Sequence, residues 1–285
     1  MLIAGRERPA LAISALVIAA LAGCTTKSGN VPADASGSLS RTEQFTLPSP
    51  ASAPDDSLIA QTSPTVDPTA VTLPAQALVA RFGDYPAFAA TAKIPSVAVF
   101  DLPTGARHEL RKLSNPQPSG APLTFLVKDL RGTDWLEVYL PVRPNGSAGW
   151  VRAADVAVSA LPFRVDVHVK AHRLEVFENA ELLGSYPIGV GTQNTPTPGG
   201  IFYLKELLKP TNKGGFYGPF AYGLSGFSNV LTKFGKGEGV IGIHGTNDEK
   251  TIGKDVSSGC VRLRNKDITA LAQLLPLGTP VRILA

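Results

Sequence analysis

Cysteine, aromatic residues and charge are all scarce in this chain of 285 residues. Charged side chains make up 18% of it and aromatic ones 7%, and the formal net charge at pH 7 is +4. No run of five or six Lys and Arg occurs, so the sequence has no dense basic patch and predicts no nucleic-acid partner. The two cysteines, Cys24 and Cys260, could form one disulfide at most, and their surroundings differ so much that each requires its own explanation.

The N-terminus has the pattern of an export signal. Arg6 and Arg8 precede an apolar stretch, 10–22, which would rise only about 20 Å as a helix, too short for the roughly 30 Å core of a bilayer. The stretch ends in Leu-Ala-Gly-Cys, which resembles a bacterial lipobox and implies cleavage before Cys24 and attachment of lipid to its sulfur. We expect a lipoprotein signal peptide over 1–23 and a membrane anchor at Cys24. An ordinary cleaved signal with an incidental cysteine is the alternative.

Residues 25–80 lack the composition of a folded core. They contain seven Pro, eight Ser and eight Thr, but a single Phe and no Trp or Tyr. Such a composition is typical of a disordered chain. We predict a lipid-anchored, disordered linker over 24–91 that holds the folded part away from the membrane. An unselected tail is the alternative.

Short strand patterns begin after residue 92. Pro, Gly and Asn separate four apolar or aromatic runs, at 97–100, 123–127, 135–140 and 149–151. This spacing predicts a small β-barrel. The stretch 134–156 resembles the end of a bacterial SH3-like domain, which we place at 92–160. The resemblance implies binding of wall peptide or glycan, and a packing spacer is the alternative.

A second region, 163–285, is predicted to be mainly β with one helix. Valines alternate with polar residues over 164–170, as in a half-buried strand, and 174–177 is expected to return as its hairpin partner. His168 lies on the polar face of that strand and is predicted to be solvated. A helix over 265–275, capped by Asn265, is predicted from apolar residues at helical spacing: Ile268, Leu271, Ala272 and Leu275. A last strand is expected at 281–284.

Two segments of this region carry residues suited to chemistry. The alternation in 240–246 places His244 on the face opposite the apolar side chains, and sixteen residues later Cys260 would share a strand face with Arg262. A neighbouring imidazole or guanidinium favours the thiolate form of a cysteine. His244 and Arg262 are therefore candidates to activate Cys260. Gly259 would allow a tight turn that brings backbone N–H groups toward the oxygen of a tetrahedral adduct.

Two less reactive interpretations of the same residues remain open. Cys260 could be a buried structural cysteine, or it could form a metal site with His244. One Cys and one His fall short of the three or four ligands that a metal usually takes in a protein. We therefore predict no metal and no cofactor.

The segment 244–267 resembles the signature of the L,D-transpeptidase (YkuD-type) catalytic domain. It contains His-Gly-Thr, an intervening loop, and then Ser-x-Gly-Cys followed by Val-Arg-Leu. Residues 189–191 and 195–202 resemble the start of a strand in the same family, so the resemblance covers about 163–285. It implies a YkuD-type β-sandwich or barrel after the SH3-like barrel. The chain departs from many members at Ser258, where they have His.

The resemblance implies a peptidoglycan L,D-transpeptidase that forms 3→3 cross-links between tetrapeptide stems. Cys260 would attack the diaminopimelate carbonyl and expel D-Ala, and an amine of a second stem would capture the acyl group. His244 would act as base and then as acid, and Arg262 would hold a carboxylate or support the thiolate. Weaker candidates are Ser257 for orienting His244, Gly245 for close approach, and Ser258 for a substrate contact.

A glycine-rich segment, 209–239, lies between the family's motifs. It holds eight glycines with interspersed aromatic residues. We interpret it as a lid over a peptide groove, with Tyr222 as the aromatic residue expected to contact substrate. A family insertion with partly buried aromatic residues is the alternative.

Two other functions remain open on the sequence. One is a cysteine-dependent wall-peptide hydrolase of the same fold, which would pass the acyl group to water. The other is a non-catalytic, lipid-anchored wall-binding protein. In each case we expect a monomer exported to the outer face of the cytoplasmic membrane, with peptidoglycan stem peptides as its partners.

Overall fold

The computed structural model describes residues 58–61, 64, 87–132, 134–233 and 237–285. These residues form strands, two 3-10 turns and one α-helix, which confirms the predicted mainly β fold. They build two β-domains, each with its own hydrophobic core. No helix in the described ranges is long and apolar enough to span a membrane.

The N-terminal β-domain is a sheet of seven antiparallel strands. Along the chain these are β2 Ala87–Ala92, β3 Ser96–Phe100, β4 Glu109–Ser114, β5 Thr124–Arg131, β6 Trp135–Tyr139, β7 Ala148–Arg152 and β8 Val156–Leu161. Their order in the sheet is β4-β3-β7-β6-β5-β2-β8, and a 3-10 turn, Ala153–Asp155, precedes β8. Alternate side chains of these strands form the core, as the strand patterns predict: Val97, Val99, Phe125, Val138 and Val151. The SH3-like assignment of this domain stays a prediction.

The second β-domain is built on a nine-stranded sheet. Its main path is β11 Glu181–Pro187, β10 Arg173–Glu178, β9 Phe163–His168, β18 Pro280–Leu284, β13 Gly200–Pro210, β14 Ala221–Phe227, β15 Val240–His244 and β17 Val261–Arg262. The ninth strand, β1 Leu58–Ala60, pairs with β13. A separate two-stranded sheet joins β12 Val190–Gly191 to β16 Asp255–Ser257, and a 3-10 turn spans Glu249–Thr251. The predicted hairpin of β9 and β10 is confirmed by their antiparallel pairing.

The predicted linker over 24–91 is wrong at two places. Residues 58–60 form β1 on the long strand β13, and 87–91 belong to β2, which pairs with both β5 and β8. Backbone pairing with strands distant in the sequence places both segments in sheets, and amino-acid composition does not indicate such pairing. The N-terminal β-domain therefore begins before residue 92. The signal peptide and Cys24 lie outside the described residues. The other residues of the predicted linker, with the exception of 61 and 64, also lie outside them.

Strand β9 departs in part from the predicted half-buried pattern. It lies inside the sheet between β10 and β18, and Asp166 on its polar face is 3% exposed. Asp166 accepts hydrogen bonds from the Arg282 guanidinium, one of them at 2.7 Å from Nε, and lies 3.1 Å from Arg164 Nε. These arginines compensate the buried carboxylate. His168 is half-buried and pairs with Glu175 at 2.9 Å.

Helix α1, Asn265–Leu274, matches the predicted helix. It buries Ile268, Leu271 and Ala272 against the second core. The prediction of Asn265 as its cap is wrong, because the capping position is Arg264 and no side chain caps the helix. The Asn265 side chain is used elsewhere, next to His244.

Candidate active site

Two parallel strands bring the predicted chemical residues together. In the pairing of β15 with β17, Ile243 is opposite Val261 and His244 is opposite Arg262. Ile243 and Val261 are buried in the core. Because side chains alternate along a strand, His244 and Arg262 share the other face, and Cys260 immediately precedes β17 on that same face.

His244 and Cys260 converge on one point above Gly242. A Cβ placed at residue 242 would lie 3.9 Å from His244 Cδ2 and 4.0 Å from Cys260 Sγ. The Gly242 N–H also donates a hydrogen bond to Sγ at 3.4 Å. The missing side chain at Gly242 therefore leaves a space that borders both the imidazole and the sulfur.

The imidazole of His244 is held by one backbone bond. Nδ1 lies 2.6 Å from the Gly245 carbonyl oxygen. A carbonyl only accepts, so Nδ1 carries the proton and donates it, which leaves Nε2 as a lone-pair acceptor in the neutral ring. Nε2 is buried and has no hydrogen-bond partner among the residues that the structure describes. A buried, unpartnered nitrogen keeps its lone pair available to accept a proton during reaction.

Aromatic rings cover this imidazole. The ring centroids of Phe216 and Tyr217 lie 5.5 Å and 5.1 Å from that of His244. The guanidinium of Arg262 stacks on Phe216, with Cζ 4.5 Å from the ring centroid. The cover excludes water from His244, which is only 1% exposed.

Burial sets the charge state of the pair. It lowers the pKa of His244 from 6.5 to about 4, and the positive charge of Arg262 acts in the same direction. Burial raises the pKa of the Cys260 thiol above its ordinary 9.0, outweighing the Gly242 N–H and the Arg262 charge, which both lower it. At neutral pH the two groups are therefore uncharged. Arg262 thus acts on the thiol in the expected direction, but burial of the sulfur is the larger effect and the thiol keeps its proton.

The turn before Cys260 is held by Ser257. Its hydroxyl donates to the Cys260 carbonyl at 2.6 Å and accepts from the Gly259 N–H at 3.1 Å. Ser257 thus shapes the turn, and the prediction that it orients His244 is wrong. Gly259 has a φ of +115°, and a Cβ there would lie 2.9 Å from Ile241 Cδ1. The tight turn predicted at Gly259 is present, but its own N–H is engaged by Ser257 and is not directed at an adduct oxygen.

Asn265 and Gly245 fix the loop after His244. Asn265 Oδ1 accepts from the Thr246 N–H at 2.9 Å, and a Cβ at Gly245 would collide with that oxygen and lie 3.0 Å from Pro219 Cδ. The Gly245 carbonyl is also what orients the imidazole, and the close approach of substrate at Gly245 stays a prediction. The role of Asn265 escaped the sequence analysis because its helix pattern offered a sufficient explanation for it.

The glycine-rich segment is not one lid. Its middle is the core strand β14, and Tyr222 on that strand is 1% exposed, with its hydroxyl donating to the Leu271 and Leu275 carbonyls. The assignment of Tyr222 to substrate binding is wrong, because its side chain is buried in the hydrophobic core of the domain. Only the flanking pieces reach the site: 216–217 cover His244, and parts of 228–239 line a pocket.

That pocket opens beside the sulfur. Its lining residues are Ser228, Leu231, Gly239, Val240, Ile241, Ser258 and Cys260. Ser258 lines this pocket, and its contact with substrate stays a prediction. Cys24 lies outside the described residues, and within them no three metal-ligating side chains cluster.

Comparison with known proteins identifies the family. The family model of YkuD, the L,D-transpeptidase catalytic domain, matches residues 162–283. The YkuD protein of Bacillus licheniformis is 32% identical over 171 residues, which cover 58% of this chain and 94% of that protein. The YkuD protein of Bacillus subtilis is 34% identical over 150 residues, covering 50% of this chain and 83% of that one. A solved L,D-transpeptidase from Mycobacterium smegmatis is 13% identical, covering 56% of this chain and 95% of that one, with a TM-score of 0.34.

The chain belongs to the L,D-transpeptidases. Its second β-domain is the YkuD-type catalytic domain, as the motifs around His244 and Cys260 predict. The family supports a peptidoglycan transpeptidase function for the protein.

Proposed function

We propose that the protein forms 3→3 peptidoglycan cross-links through a cysteine acyl-enzyme. The observation that carries the proposal is the convergence of Cys260 Sγ and the His244 ring on the space above Gly242. The sulfur would attack the carbonyl of the third residue of a tetrapeptide stem and form a thioester. The C–N bond to the terminal D-Ala breaks in that step, and the side-chain amine of a second stem then displaces the sulfur.

The proton moves between two uncharged groups in this mechanism. As the S–C bond forms, the thiol proton passes to His244 Nε2, and the resulting imidazolium returns it to the departing amine of D-Ala. The Gly245 carbonyl, bonded to Nδ1, supports the positive ring in between. The Gly242 N–H and the Arg262 charge stabilise negative charge that develops on sulfur.

Arg262 is the proposed carboxylate ligand. Its Nε is buried and has no hydrogen-bond partner within the described part of the chain. The Phe216 ring holds the guanidinium plane in place, so its outward N–H groups are oriented before substrate arrives. A stem carboxylate would satisfy the buried donor and place the scissile carbonyl near Cys260.

Intact-mass measurement on a donor tetrapeptide tests the acyl-enzyme. The wild type is expected to gain the mass of the donor minus D-Ala and to release cross-linked dimers when a second stem is added. Cys260→Ala should show neither, while Arg111→Ala, on the exposed strand β4 of the N-terminal β-domain, should keep both. Release of D-Ala with trimmed monomers and no dimers would replace the transpeptidase with a hydrolase. Activity surviving in Cys260→Ala would refute the cysteine mechanism itself.

The N-terminal proposals have separate support. We propose that Cys24 carries the lipid anchor, that 25–57 and most of 65–86 form the linker, and that the N-terminal β-domain is SH3-like. The support is the lipobox, the Pro, Ser and Thr content, and the strand spacing. Cys24→Ala should move the protein from the membrane to the soluble fraction without loss of activity in detergent. Its recovery in membranes would refute the anchor.

A further inference from the structure

One wall of the pocket beside Cys260 is a loop. We call residues 228–233 and 237–239 the pocket loop. Three of its residues, Ser228, Leu231 and Gly239, line the pocket together with the sulfur. The shape of this space next to the nucleophile therefore depends on where this loop is held.

Arg143 of the N-terminal β-domain binds the pocket loop at three carbonyls. It lies between β6 and β7, and its guanidinium donates to Ser228 O at 2.9 Å, Leu231 O at 3.0 Å and Glu238 O at 3.1 Å. The same group stacks on the Phe227 ring, with Cζ 4.8 Å from the centroid. A planar fork of donors suits several carbonyls at fixed positions, which a single ammonium does not match.

Asn145 fixes the point where the loop leaves the sheet. Its amide donates to the Phe227 carbonyl and accepts from the Phe227 N–H, both at 2.8 Å. This two-way pairing joins the backbone of Phe227, the last residue of β14, to a side chain of the other domain. Asn145 Nδ2 also lies 3.2 Å from Asn229 Oδ1.

The loop closes tightly around the guanidinium. Ser228 N donates to Gly239 O at 2.8 Å, and Ser228 Oγ accepts from Leu231 N at 3.0 Å. A Cβ at Gly239, where φ is +73°, would lie 3.2 Å from Arg143 Nη2. The two ends of the loop and the arginine are thus packed as one unit.

We propose that Arg143 and Asn145 are positioning residues of the active site, so that the N-terminal β-domain shapes the substrate pocket of the catalytic domain. This inference rests on the proposed role of Cys260. Both residues act through the pocket loop and touch neither Cys260 nor His244. The domain would thereby contribute to the reaction whether or not it binds the wall on its own account.

Steady-state kinetics on the full-length protein test the inference. Arg143→Ala is expected to lower kcat/KM for the donor tetrapeptide about tenfold, mainly by raising KM, because the pocket is deformed while the chemical groups stay in place. Arg143→Lys should recover part of the loss. Asn145→Ala should give the same pattern and serves if Arg143→Ala fails to fold. Arg111→Ala, on the exposed strand β4 of the same domain, is the matched control and should leave both constants unchanged.

Two further readouts separate positioning from general stability. In Arg143→Ala, amide hydrogen exchange should accelerate in 228–233 and 237–241 but not in β9 and β10. The low-pH limb of kcat/KM should stay where the wild type has it, since His244 is untouched. A merely structural role would lower the melting temperature and leave KM unchanged.

The outcomes distinguish this inference from the proposed function. If Cys260→Ala is inactive while both Arg143→Ala and Asn145→Ala keep kcat/KM within twofold of wild type, the inference is overturned and the proposed function stands. If the wild type does not use the donor, the proposed function fails, and alkylation of Cys260 by iodoacetamide, followed by peptide mass mapping, decides the inference. An alkylation rate that differs from wild type in Arg143→Ala but not in Arg111→Ala supports positioning. Equal alkylation rates in the wild type and both variants refute it.

Discussion

The charge state of the His244 and Cys260 pair yields a prediction about pH. Since burial lowers the pKa of His244 to about 4, the ring is a neutral base at any pH well above 4. Lowering a pKa from 6.5 to about 4 corresponds to about 3 kcal/mol against the charged ring, at about 1.4 kcal/mol per pKa unit. Because the pKa of Cys260 is raised above 9.0, the thiol keeps its proton over the same range. The reactive pair is therefore complete from about pH 5 to pH 9.

The measurement is kcat/KM for D-Ala release from a donor tetrapeptide between pH 3.5 and pH 10. This constant reports the free enzyme and covers the steps through acylation, so the titration of the acceptor amine does not enter. We expect a low-pH limb near 4, a plateau, and a fall or change of slope only above pH 9. A low-pH limb at 6.5 or higher would refute the buried neutral base.

Arg262→Met is the informative perturbation. Methionine keeps an apolar stem against Phe216 and removes the charge that lowers the pKa of His244. The low-pH limb should rise above its wild-type position and stay below 6.5, because burial, the larger cause, remains. Arg264→Met, which removes a charge two residues further on, is the control and should move the limb much less. A limb that stays in place or falls in Arg262→Met would contradict the assigned electrostatics, whatever happens to the absolute rate.

Three further predictions concern stability and packing. The unfolded chain binds a proton at His244 below pH 6.5, whereas the folded chain does so only near pH 4. The free energy of unfolding should therefore fall by up to about 3 kcal/mol as the pH drops from 6.5 to 4. Urea titrations at several pH values should show this dependence in the wild type and lack that part of it in His244→Gln. Gly245→Ala should lower the free energy of unfolding by about 1 to 3 kcal/mol, because the new Cβ meets Pro219 Cδ at 3.0 Å. It should also lower kcat, because the carbonyl that orients the imidazole is displaced. Unchanged thermal unfolding and kcat would show that the loop accommodates the extra methyl group without strain. Tyr222→Phe should lower the free energy of unfolding by about 1 to 2 kcal/mol and leave kcat/KM unchanged, since the hydroxyl donates to the Leu271 and Leu275 carbonyls. Thermal unfolding and kinetics measure the two effects. A fall in kcat/KM without loss of stability would show that Tyr222 contacts substrate after all.

Local periodicity determined much of the catalytic domain. Alternation in 240–246 and in 260–264 predicted which side chains share a face, and the register of β15 and β17 places His244 beside Arg262 on that face. The spacing of apolar residues likewise predicted helix α1 to within one residue. These features depend on neighbours within a few residues, so a single sequence carries them.

Local pattern was insufficient where a residue has two plausible uses. Asn265 stands where a helix cap is expected, yet its side chain binds the Thr246 N–H. Tyr222 stands among glycines typical of a mobile loop, yet it lies in a core strand. Each choice depends on which distant segment packs nearby, and that is not visible in the residues on either side.

By itself, the sequence determined the chemical groups, their faces on the strands and the family they belong to. Only the tertiary structure decided that the cysteine and histidine rest uncharged, because a pKa depends on burial by segments far away in the chain, such as 216–217. It also decided that Arg143 and Asn145, more than eighty residues before the loop they bind, reach the wall of the pocket. These contacts form only where the two β-domains pack together, and no periodicity in the chain records them.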